Sequence, residues 1–562
     1  MFTIRTALSG LTVCFFLIAV LPLNVGIDRC IELPCGSVLD PGKEPGRHAG
    51  LTLPLDTSQT AGATYYVDQS NLQASDTNPG TEARLWKTIT HAASVAVAGD
   101  TVYVKAGMYP ERIHPAHSGS AGKRITFLSL PRRAATMWGF YTEGSNFLTI
   151  QGFNITTDPS LTDWTDSDGV FIRSDDVEVL DNYFYNLDSA GVSGYWHDPY
   201  PHRAHIANNT IYHSQYGLGI TGYDWIVEYN EVNRLYKYGS GDADYSRFFG
   251  NNHIIRWNYF HGSLASEIGD AHVDCFQTFD NNGEFSTGVV IDGNRCSEFH
   301  QGFMGESIYY HTISHVTFKN NLFVNGWAWG LCIQDLAYVT AINNTFANIG
   351  YHGIGMRGNS LGGVVKNNIF YNMETSYWFE SPSSIDGDYN LIFNAQDPPV
   401  KGLHDITGKD PKFVNTAGGD FHLQASSPAV DAGMAIPAVN QDYDRVPRPI
   451  MNVWDIGAFE YQPFRFGAAP QNGAIALSWQ FVSAKPLPAT VTWQINYTPA
   501  NGAETPPIFE AYEARAHKLN GLSNYTLYTV TLTALDGSTT LYSASAQVMP
   551  SDRLVYMPVI LR

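Results

Sequence analysis

One short pattern recurs along the middle of the chain: an Asn, then any residue, then an apolar residue inside a β-rich run. The clear copies begin at Asn182, Asn209, Asn230, Asn258, Asn321, Asn344, Asn368 and Asn390, and Asn154 and Asn294 fit more loosely. Neighbouring copies lie 21 to 36 residues apart. A unit of this length with several short strands and no helix cannot bury its apolar face alone, whereas stacked units can. The pattern therefore predicts an all-β chain wound into a parallel β-helix.

Stacking also predicts what the repeated asparagines do. Strands of adjacent coils lie about 4.8 Å apart, so asparagines at one corner would exchange side-chain amide hydrogen bonds along the axis. A propeller would need a period of roughly 40 residues, and a leucine-rich horseshoe would need a leucine pattern that this sequence lacks.

Segments at both ends of the repeat resemble secreted proteins of the pectin-lyase-like superfamily. The matching elements are Tyr66-Val67, 78–81, 86–89, 98–102 and Gly107-x-Tyr109 at the N-terminal end, and 410–413, 419–423, 427–433 and 455–460 at the C-terminal end. The resemblance implies a right-handed parallel β-helix over residues 63–461. Thr88–Val97 reads as a short amphipathic helix that caps the open end of the coils, and Thr101–Val104 as the first core strand.

A second module follows at residues 462–550. Trp479, the strand-like run 491–495, Leu522 and Tyr528 resemble the core and packed corner of a fibronectin type III sandwich. We expect a small β-sandwich here, which would serve as a spacer or accessory domain. The tail 551–562 is apolar, but it is too short to span a bilayer.

The N-terminus resembles an export signal. One basic residue precedes an apolar run, densest over Leu11–Leu23. We expect a signal peptide at 1–26, a linker at 27–62, and a protein that is secreted or held at the cell surface without membrane insertion after signal removal. An uncleaved anchor is the alternative.

The cysteine count fits an exported protein without a disulfide scaffold. Cys30 and Cys35 could close a small loop in an oxidising compartment. Loss of Cys14 with the signal would leave five cysteines, so at least one would lack a partner within the chain.

The charge balance limits the partners that the chain can bind. The formal net charge is −20, which argues against nucleic acid and against anionic membrane surfaces. No GxSxG, HExxH or phosphate-cradling loop occurs, so serine hydrolases, zinc proteases and nucleotide binding have no support. We expect a monomer whose partner is a polysaccharide.

The longest insertions and many polar residues fall between Asn230 and Asn321, and long loops on a rigid scaffold often carry function. Aligning Cys332-Ile-Gln334 with Cys275-Phe-Gln277, and Met304-Gly-Glu306 with both, predicts one outward polar line. Its members would be Asp244, Gln277, Glu306, Gln334 and Arg357. A slip of one residue would turn these side chains inward.

The preferred function is a glycoside hydrolase that works in this groove with two carboxylates and needs no cofactor. The expected catalytic residues are Asp274, Glu306, Asp244 and His272. The expected substrate-binding residues are Lys237, Gln277, Arg295, His300, Trp327, Trp329, Gln334, Asp335 and Arg357.

Two alternatives remain open. A polysaccharide lyase would use calcium held by Asp242, Asp244, Asp270 and Asp274, with Lys237, His272 or Arg295 as the base. The resemblance implies a lysine or arginine base beside aspartate-bound calcium, although no lyase motif is complete. A non-catalytic adhesin that binds glycans is the second alternative.

Overall fold

The structure is a computed structural model that describes residues 62–159, 167–239, 242–280, 283–450, 453–462, 464–481, 487–500, 502–503 and 505–551. The predicted signal peptide, almost all of the predicted linker, Cys14, Cys30, Cys35 and most of the apolar tail lie outside these residues. All described residues belong to one compact unit, Pro45–Arg562.

The chain forms a parallel β-solenoid, as the repeat predicts, and each full coil contributes strands to three faces. The first face is a sheet of 13 parallel strands. They are Thr64–Val67, Thr101–Val104, Ile125–Ser129, Leu148–Gln151, Glu178–Leu180, His205–Ala207, Ile226–Glu228, Ile254–Arg256, Val290–Asp292, Thr317–Lys319, Thr340–Ile342, Gly363–Lys366 and Ile385–Asp388.

The second and third faces are joined by long strands that turn the corner between them. Strands of the second face alone are Asn154–Thr156, Glu231–Asn233, Tyr259–His261, Arg295–Ser297, Leu322–Val324, Leu391–Phe393 and Ile406–Thr407. Strands of the third face alone are Val170–Arg173, Ser246–Phe248, Asp274–Phe279, Gln301–Glu306 and Trp329–Gln334. Strands that span both are Gly107–Ile113, Ala135–Glu143, Tyr183–Gly194, Thr210–Ile220, Thr345–Arg357 and Ile369–Phe379. A short three-stranded sheet, Gly250–Asn251, Ser286–Thr287 and Ile313–Ser314, follows the third face.

The asparagine ladder is confirmed between Asn182 and Asn390. In each rung the backbone N–H of one asparagine donates to Oδ1 of the next, as from Asn321 to Asn344 at 2.9 Å. Asp405 ends the ladder by accepting from the backbone of Asn390 at 2.8 Å. Asn154 is not a member, because Phe153 holds the equivalent position and its N–H donates to Asn182 Oδ1.

A short helix closes the N-terminal end, as predicted. It spans Ile89–Val95, and the Thr88 side chain caps it by accepting from the N–H of His91. The buried side chains of Ile89, Ala92 and Ala93 face the interior of the coil stack. Strand Thr64–Val67 pairs outside Thr101–Val104, so the predicted first core strand is in fact the second.

In the part of the chain that the structure describes, the remaining helical segments are Ala265–Ile268 and the 3-10 turn Thr416–Gly418. No helix in the described part of the chain has the length and apolar content that a membrane crossing requires.

The segments 411–450 and 453–461 lie on the outside of the second face. The antiparallel strands Phe413–Asn415 and Asp420–Leu423 belong to the first of them. Phe413, Phe421 and Phe459 join a core with the outward side chains of Leu322 and Leu391. These segments therefore remove the second face from solvent near the C-terminal end of the solenoid.

The C-terminal module consists of two small antiparallel sheets around a core of its own. One sheet contains Phe464–Gln471, Ala474–Phe481 and Ala516–Asn520; the other contains Val491–Pro499, Ile508–Glu510, Tyr528–Asp536 and Thr539–Val548. Trp479 and Trp493 meet in the core at 5.8 Å between ring centroids. Tyr528 accepts from the N–H of Ser523 at 3.0 Å through its hydroxyl group.

Candidate functional site

The third face carries a polar surface that we call the outer strip. It comprises the outward side chains of 274–279, 301–306, 329–334 and 352–357. Glu306 pairs with Gln334, and Gln334 pairs with Arg357, on successive coils. The predicted alignment of Glu306, Gln334 and Arg357 is therefore confirmed.

The predicted place of Gln277 on this line is wrong by two residues. Gln277 pairs with Met304, and Met304 with Cys332, so Gln277 lies on the neighbouring outward line. The physical reason is that side chains along a strand alternate with a period of two residues. A shift of two residues keeps Gln277 on the outer surface, so the alternation on which the prediction relied fits both registers.

Asp244 also leaves the predicted line, because it lies beside Asp274. The backbone N–H of Asp274 donates to Asp244 Oδ1 at 3.0 Å, and the N–H of Gln301 donates to Asp274 Oδ1 at 3.1 Å. Arg247 holds the other Asp244 oxygen through Nε at 2.7 Å. Both carboxyl groups are fully buried, so they serve here as acceptors for the backbone of the next coil.

Burial raises the pKa values of the paired Asp244 and Asp274 carboxyl groups. It raises the pKa of the Asp274 carboxyl well above its usual range, and the neighbouring Asp244 and Asp242 raise it further. Burial also raises the pKa of the Asp244 carboxyl, and the nearby Arg247 guanidinium partly offsets that increase.

Gln277, Gln301 and His300 lie at the edge of the buried pair of carboxyl groups. The side chain of Gln301 is 9% exposed and its buried Oε1 has no hydrogen-bond partner among the described residues. Gln277 Oε1 and His300 Nδ1 are also buried without a hydrogen-bond partner among the described residues. Gln277 Nε2 donates a weak hydrogen bond to Asp274 Oδ2 at 3.4 Å. Burial and the neighbouring His272 lower the pKa of His300 to about 4, so its ring is neutral at neutral pH.

His272 stacks on His300 with 4.3 Å between ring centroids. Its backbone N–H donates to Asp242 Oδ1 at 3.2 Å. These residues form the edge of the outer strip at the corner with the second face.

Glu306 is the carboxyl group of the strip that is neither buried nor held by backbone donors. Gln334 Nε2 donates to its Oε1 at 3.4 Å. Partial burial raises the pKa of Glu306, Asp280 and Asp335 raise it further, and Arg357 lowers it in part. Asp335 accepts from the N–H of Asn359 at 2.6 Å, which fixes its position beside Glu306.

The loop that follows Glu306 presents exposed aromatic rings on a fixed backbone. Asp280 is fully buried beneath it and accepts from Ser307 Oγ, from the N–H of Ile308 and from Thr312 Oγ1. Tyr309 and Tyr310 are 57% and 59% exposed. Sequence reasoning missed Asp280, since no spacing marks it as an acceptor for this loop.

The two predicted tryptophans differ in exposure. Trp327 is 45% exposed and Trp329 is 9% exposed. The Trp329 ring lies over Gly355, where a Cβ atom would overlap it, and it contacts His352 edge-on at 4.5 Å. Trp327 is therefore available to a ligand, whereas Trp329 is a packed part of the surface.

Lys237 and Asp270 lie in the loops beside the strip and pair with each other at 2.5 Å. Among the described residues, no group of three or more His, Cys, Asp or Glu side chains is positioned to hold a metal ion. Asp242, Asp244, Asp270 and Asp274 thus do not fit the calcium site predicted for a lyase, since Asp270 pairs with Lys237 and the oxygens of Asp244 with Arg247 and the Asp274 backbone.

Arg295 is separated from the strip, contrary to the expected cluster. It pairs with Tyr259 and Leu322 on the second face, and Nη1 donates to the carbonyl of Gly419 at 3.4 Å. The sequence contained the signal for this, because Arg295 directly follows Asn294 of the ladder and must begin a second-face strand.

The three cysteines of the described residues are buried, and none of them forms a disulfide bond. They are Cys275, Cys296 and Cys332.

Comparison with known proteins agrees with a β-helical fold over part of the chain. A family model described as a right handed beta helix region matches residues 266–417. A curated relative, the uncharacterized protein YwoF of Bacillus subtilis (strain 168), is 45% identical over 53 residues. That match spans 9% of this chain and 11% of YwoF, so the chain covers about a tenth of the relative's length.

Several solved structures are similar at low identity. Pectate lyase Pel9A is 16% identical with a TM-score of 0.46, and the match covers 72% of this chain and 98% of that one. XylC in complex with xylose is 13% identical with a TM-score of 0.48, covering 75% and 100%. The Streptococcus pneumoniae surface protein and adhesin PfbA is 12% identical with a TM-score of 0.36, covering 57% and 91%. The activities in these titles belong to those proteins.

Proposed function

We propose that this chain is a carbohydrate-active enzyme that binds a polysaccharide along the outer strip and cleaves it by glycoside hydrolysis. The observation that carries the proposal is Glu306. It is a partly exposed carboxyl group with a raised pKa on a rigid β-sheet, and perturbed carboxyl groups of this kind cluster at catalytic sites.

Hydrolysis needs a proton donor and a second carboxyl group. In the proposal Glu306 donates its proton to the glycosidic oxygen as the bond to the leaving sugar breaks. Asp335, whose charge already acts on Glu306, is the second carboxyl group. It either takes a proton from the attacking water or forms a glycosyl–enzyme bond that water then cleaves, so that the anomeric carbon ends bonded to a hydroxyl group. Asp244 and Asp274 are set aside as catalytic residues, because both are buried and hydrogen-bonded to the backbone.

The exposed aromatic rings near the outer strip support the proposal that a sugar binds there. Tyr309, Tyr310 and Trp327 expose flat apolar faces beside a row of polar groups. Such faces stack on the C–H surfaces of pyranose rings, while the polar groups meet the hydroxyls. An export signal at 1–26 would bring the chain to polysaccharides outside the cell.

The test is product analysis after incubation with a broad panel of polysaccharides. We expect new reducing ends without absorbance near 235 nm, since only elimination creates the unsaturated sugar that absorbs there. Glu306→Gln should lower the rate by at least about 100-fold. Glu513→Gln, an exposed position of the C-terminal module, is the matched control and should retain full activity.

Other outcomes would contradict the proposal. Absorbance near 235 nm would replace hydrolysis with lyase chemistry. Binding to glycans without any cleavage would make the chain an adhesin.

A further inference from the structure

A second row of asparagines lies at the surface, where the chain turns from the second face to the third. Its members, on four successive coils, are Asn325, Asn348, Asn372 and Asn394. Each Nδ2 donates to Oδ1 of the asparagine on the preceding coil, at 3.1, 2.9 and 2.7 Å. All four have a left-handed backbone with φ between 51° and 60°, which asparagine tolerates better than most residues. The backbone explains these asparagines, but it does not explain the aromatic rings beside them.

Two large aromatic side chains stand next to this row. Trp327 follows Asn325 by two residues, and Tyr351 follows Asn348 by three. Both aromatic residues are 45% exposed. They lie on adjacent coils, since the N–H of Tyr351 donates to the carbonyl of Ala328 at 2.8 Å. Neighbouring apolar rings that stay in water beside a fixed row of amides indicate a surface for a ligand.

This surface, which we call the corner ridge, consists of the exposed side chains of 325–327, 348–351, 372–374 and 394–396. It borders the outer strip, because the strip strand Trp329–Gln334 begins two residues after Trp327. Gln334 pairs with Glu306 and lies five residues beyond Trp329. At about 3.3 Å per residue, the corner ridge is roughly 16 Å or more from the line that carries Glu306. A chain that lies along the ridge therefore runs beside the proposed catalytic carboxyl group.

The chemistry of the corner ridge restricts its ligand. An amide that is bonded within the row keeps a further N–H donor and a further lone pair on its oxygen, and sugar hydroxyl groups can meet both. Aromatic faces pack against the C–H surfaces of pyranose rings. The asparagines repeat once per coil, about every 4.8 Å, so the ridge suits a ligand that is itself a repeating chain.

The charge of the corner ridge favours neutral sugar units. Glu374 is the only charged residue in the four ridge segments. They contain no Lys or Arg to pair with the carboxylate of a uronate.

We propose that the corner ridge is a second, non-catalytic binding site for polysaccharide, which holds a chain of neutral sugar units along the solenoid axis. The inference rests on the proposed function, because the chain held here is the polymer that Glu306 cleaves. It adds the place where the polymer is held beside the strip and the class of sugar that is held there.

The test measures binding in the absence of cleavage. Full-length protein carrying Glu306→Gln is run through native gels that contain one polysaccharide each. The neutral polymers are xyloglucan, glucomannan, galactan and arabinan, and the anionic polymers are polygalacturonate and alginate. We expect at least one neutral polymer to retard the protein.

Two further changes in this protein test the ridge. Tyr351→Ala removes a ring and should weaken binding of the neutral polymer about tenfold. Asn372→Gly keeps the left-handed backbone but removes an amide, and it should weaken binding about threefold. Phe509→Ala, at an exposed ring of the C-terminal module, and Asn252→Gly, at another exposed left-handed asparagine, are the matched controls. Both controls should bind like the parent protein, and all four variants should keep its melting temperature.

The inference is overturned if no neutral polymer retards the protein, or if both ridge variants are retarded as strongly as their parent. It is also overturned if the polymer whose binding depends on Tyr351 is anionic. Failure of the proposed function looks different: a neutral polymer would bind through Tyr351 and Asn372, and the wild-type protein would release no reducing ends from it.

Discussion

At the scale of single residues, the position of Glu306 between opposing charges sets the expected pH dependence. Burial, Asp280 and Asp335 raise its pKa, and Arg357 lowers it. The proton-donating form is therefore present below the raised pKa and is lost as the pH rises through it. Activity should accordingly fall on the alkaline side of its optimum as Glu306 ionises.

Removing Arg357 gives a directional check on this account. In Arg357→Met the ionised form of Glu306 loses its nearby cation, so its pKa rises and the descending limb of the activity profile moves to higher pH. Asp335→Asn removes a nearby charge and lowers that pKa, although it also removes the proposed second carboxyl group. The measurement is kcat/KM as a function of pH for wild type and Arg357→Met. If the alkaline limb lies at the same pH in both proteins, ionisation of Glu306 does not set that limb.

The asparagine ladder gives a second prediction at this scale. Asn344→Ala removes the acceptor for the N–H and Nδ2 of Asn321 and the donor to the carbonyl of Phe318. Since these groups are buried, we expect a loss of about 3–5 kcal/mol in the free energy of unfolding, measured by denaturant titration.

Asn348 provides the control for the ladder. It also hydrogen-bonds to another asparagine, but at an exposed position with φ of 56°. Asn348→Gly keeps this left-handed backbone and should cost less than about 1 kcal/mol. Equal losses at Asn344 and Asn348 would contradict the role given to the buried ladder.

At the scale of elements, the loop 307–312 is held by the buried carboxylate of Asp280 together with backbone hydrogen bonds to Gln334 and Asp335 of the next coil. Asp280 accepts from the N–H groups of Ile308 and Tyr309 at 2.6 and 3.4 Å. Asp280→Asn places an amide opposite these donors and leaves at least one of them unpaired. Hydrogen exchange by mass spectrometry should show faster exchange across the loop, together with weaker sugar binding if the tyrosines stack on substrate.

The control for this loop is Asp270→Asn, which breaks an exposed pair with Lys237. It should leave exchange in 307–312 unchanged. Normal protection of the loop in Asp280→Asn would show that other contacts hold Tyr309 and Tyr310 in place.

In the segment that covers the second face, His422 should make the stability of the protein depend on pH. His422 donates to Asp420 Oδ1 and Asp444 Oδ2 at 2.6 and 2.7 Å, and these carboxylates raise its pKa to about 10 against the opposing effect of burial. A raised pKa contributes stability that is fully present below about pH 6.5 and is lost as the pH rises through about 10.

The difference in melting temperature between wild type and His422→Gln measures this contribution. It should be largest near pH 6 and shrink towards pH 10.5, and its size should be modest because the side chain is 42% exposed. A difference that does not change with pH would show that His422 acts through packing alone, for example through its contact with Phe459.

At the scale of the whole molecule, the features that repeat were predictable, whereas the register of one strand against the next was not. The spacing of the asparagines predicted the solenoid because each coil repeats the same local geometry. Aligning short segments of successive coils, such as Met304-Gly-Glu306 with Cys332-Ile-Gln334, predicted that Glu306, Gln334 and Arg357 share a line. Gln277 was misplaced by two residues because a shift of that size leaves each side chain on the same face of the sheet, so the inward and outward pattern fits both registers.

Burial was the other quantity that the sequence could not supply. Asp244 and Asp274 read as catalytic carboxylates in the sequence, yet both are enclosed and bonded to the backbone. Whether an acid at a corner faces solvent or the next coil depends on the path of the loops, and no local pattern records that path.

The claim on which the whole account depends is that substrate lies along the third face. A crystal structure of Glu306→Gln with a bound oligosaccharide tests it most directly. We predict sugar density over Gln277, Gln301 and Gln334, with a glycosidic oxygen within hydrogen-bonding distance of residue 306. An oligosaccharide bound on another face or on the C-terminal module, with the third face empty, would contradict it.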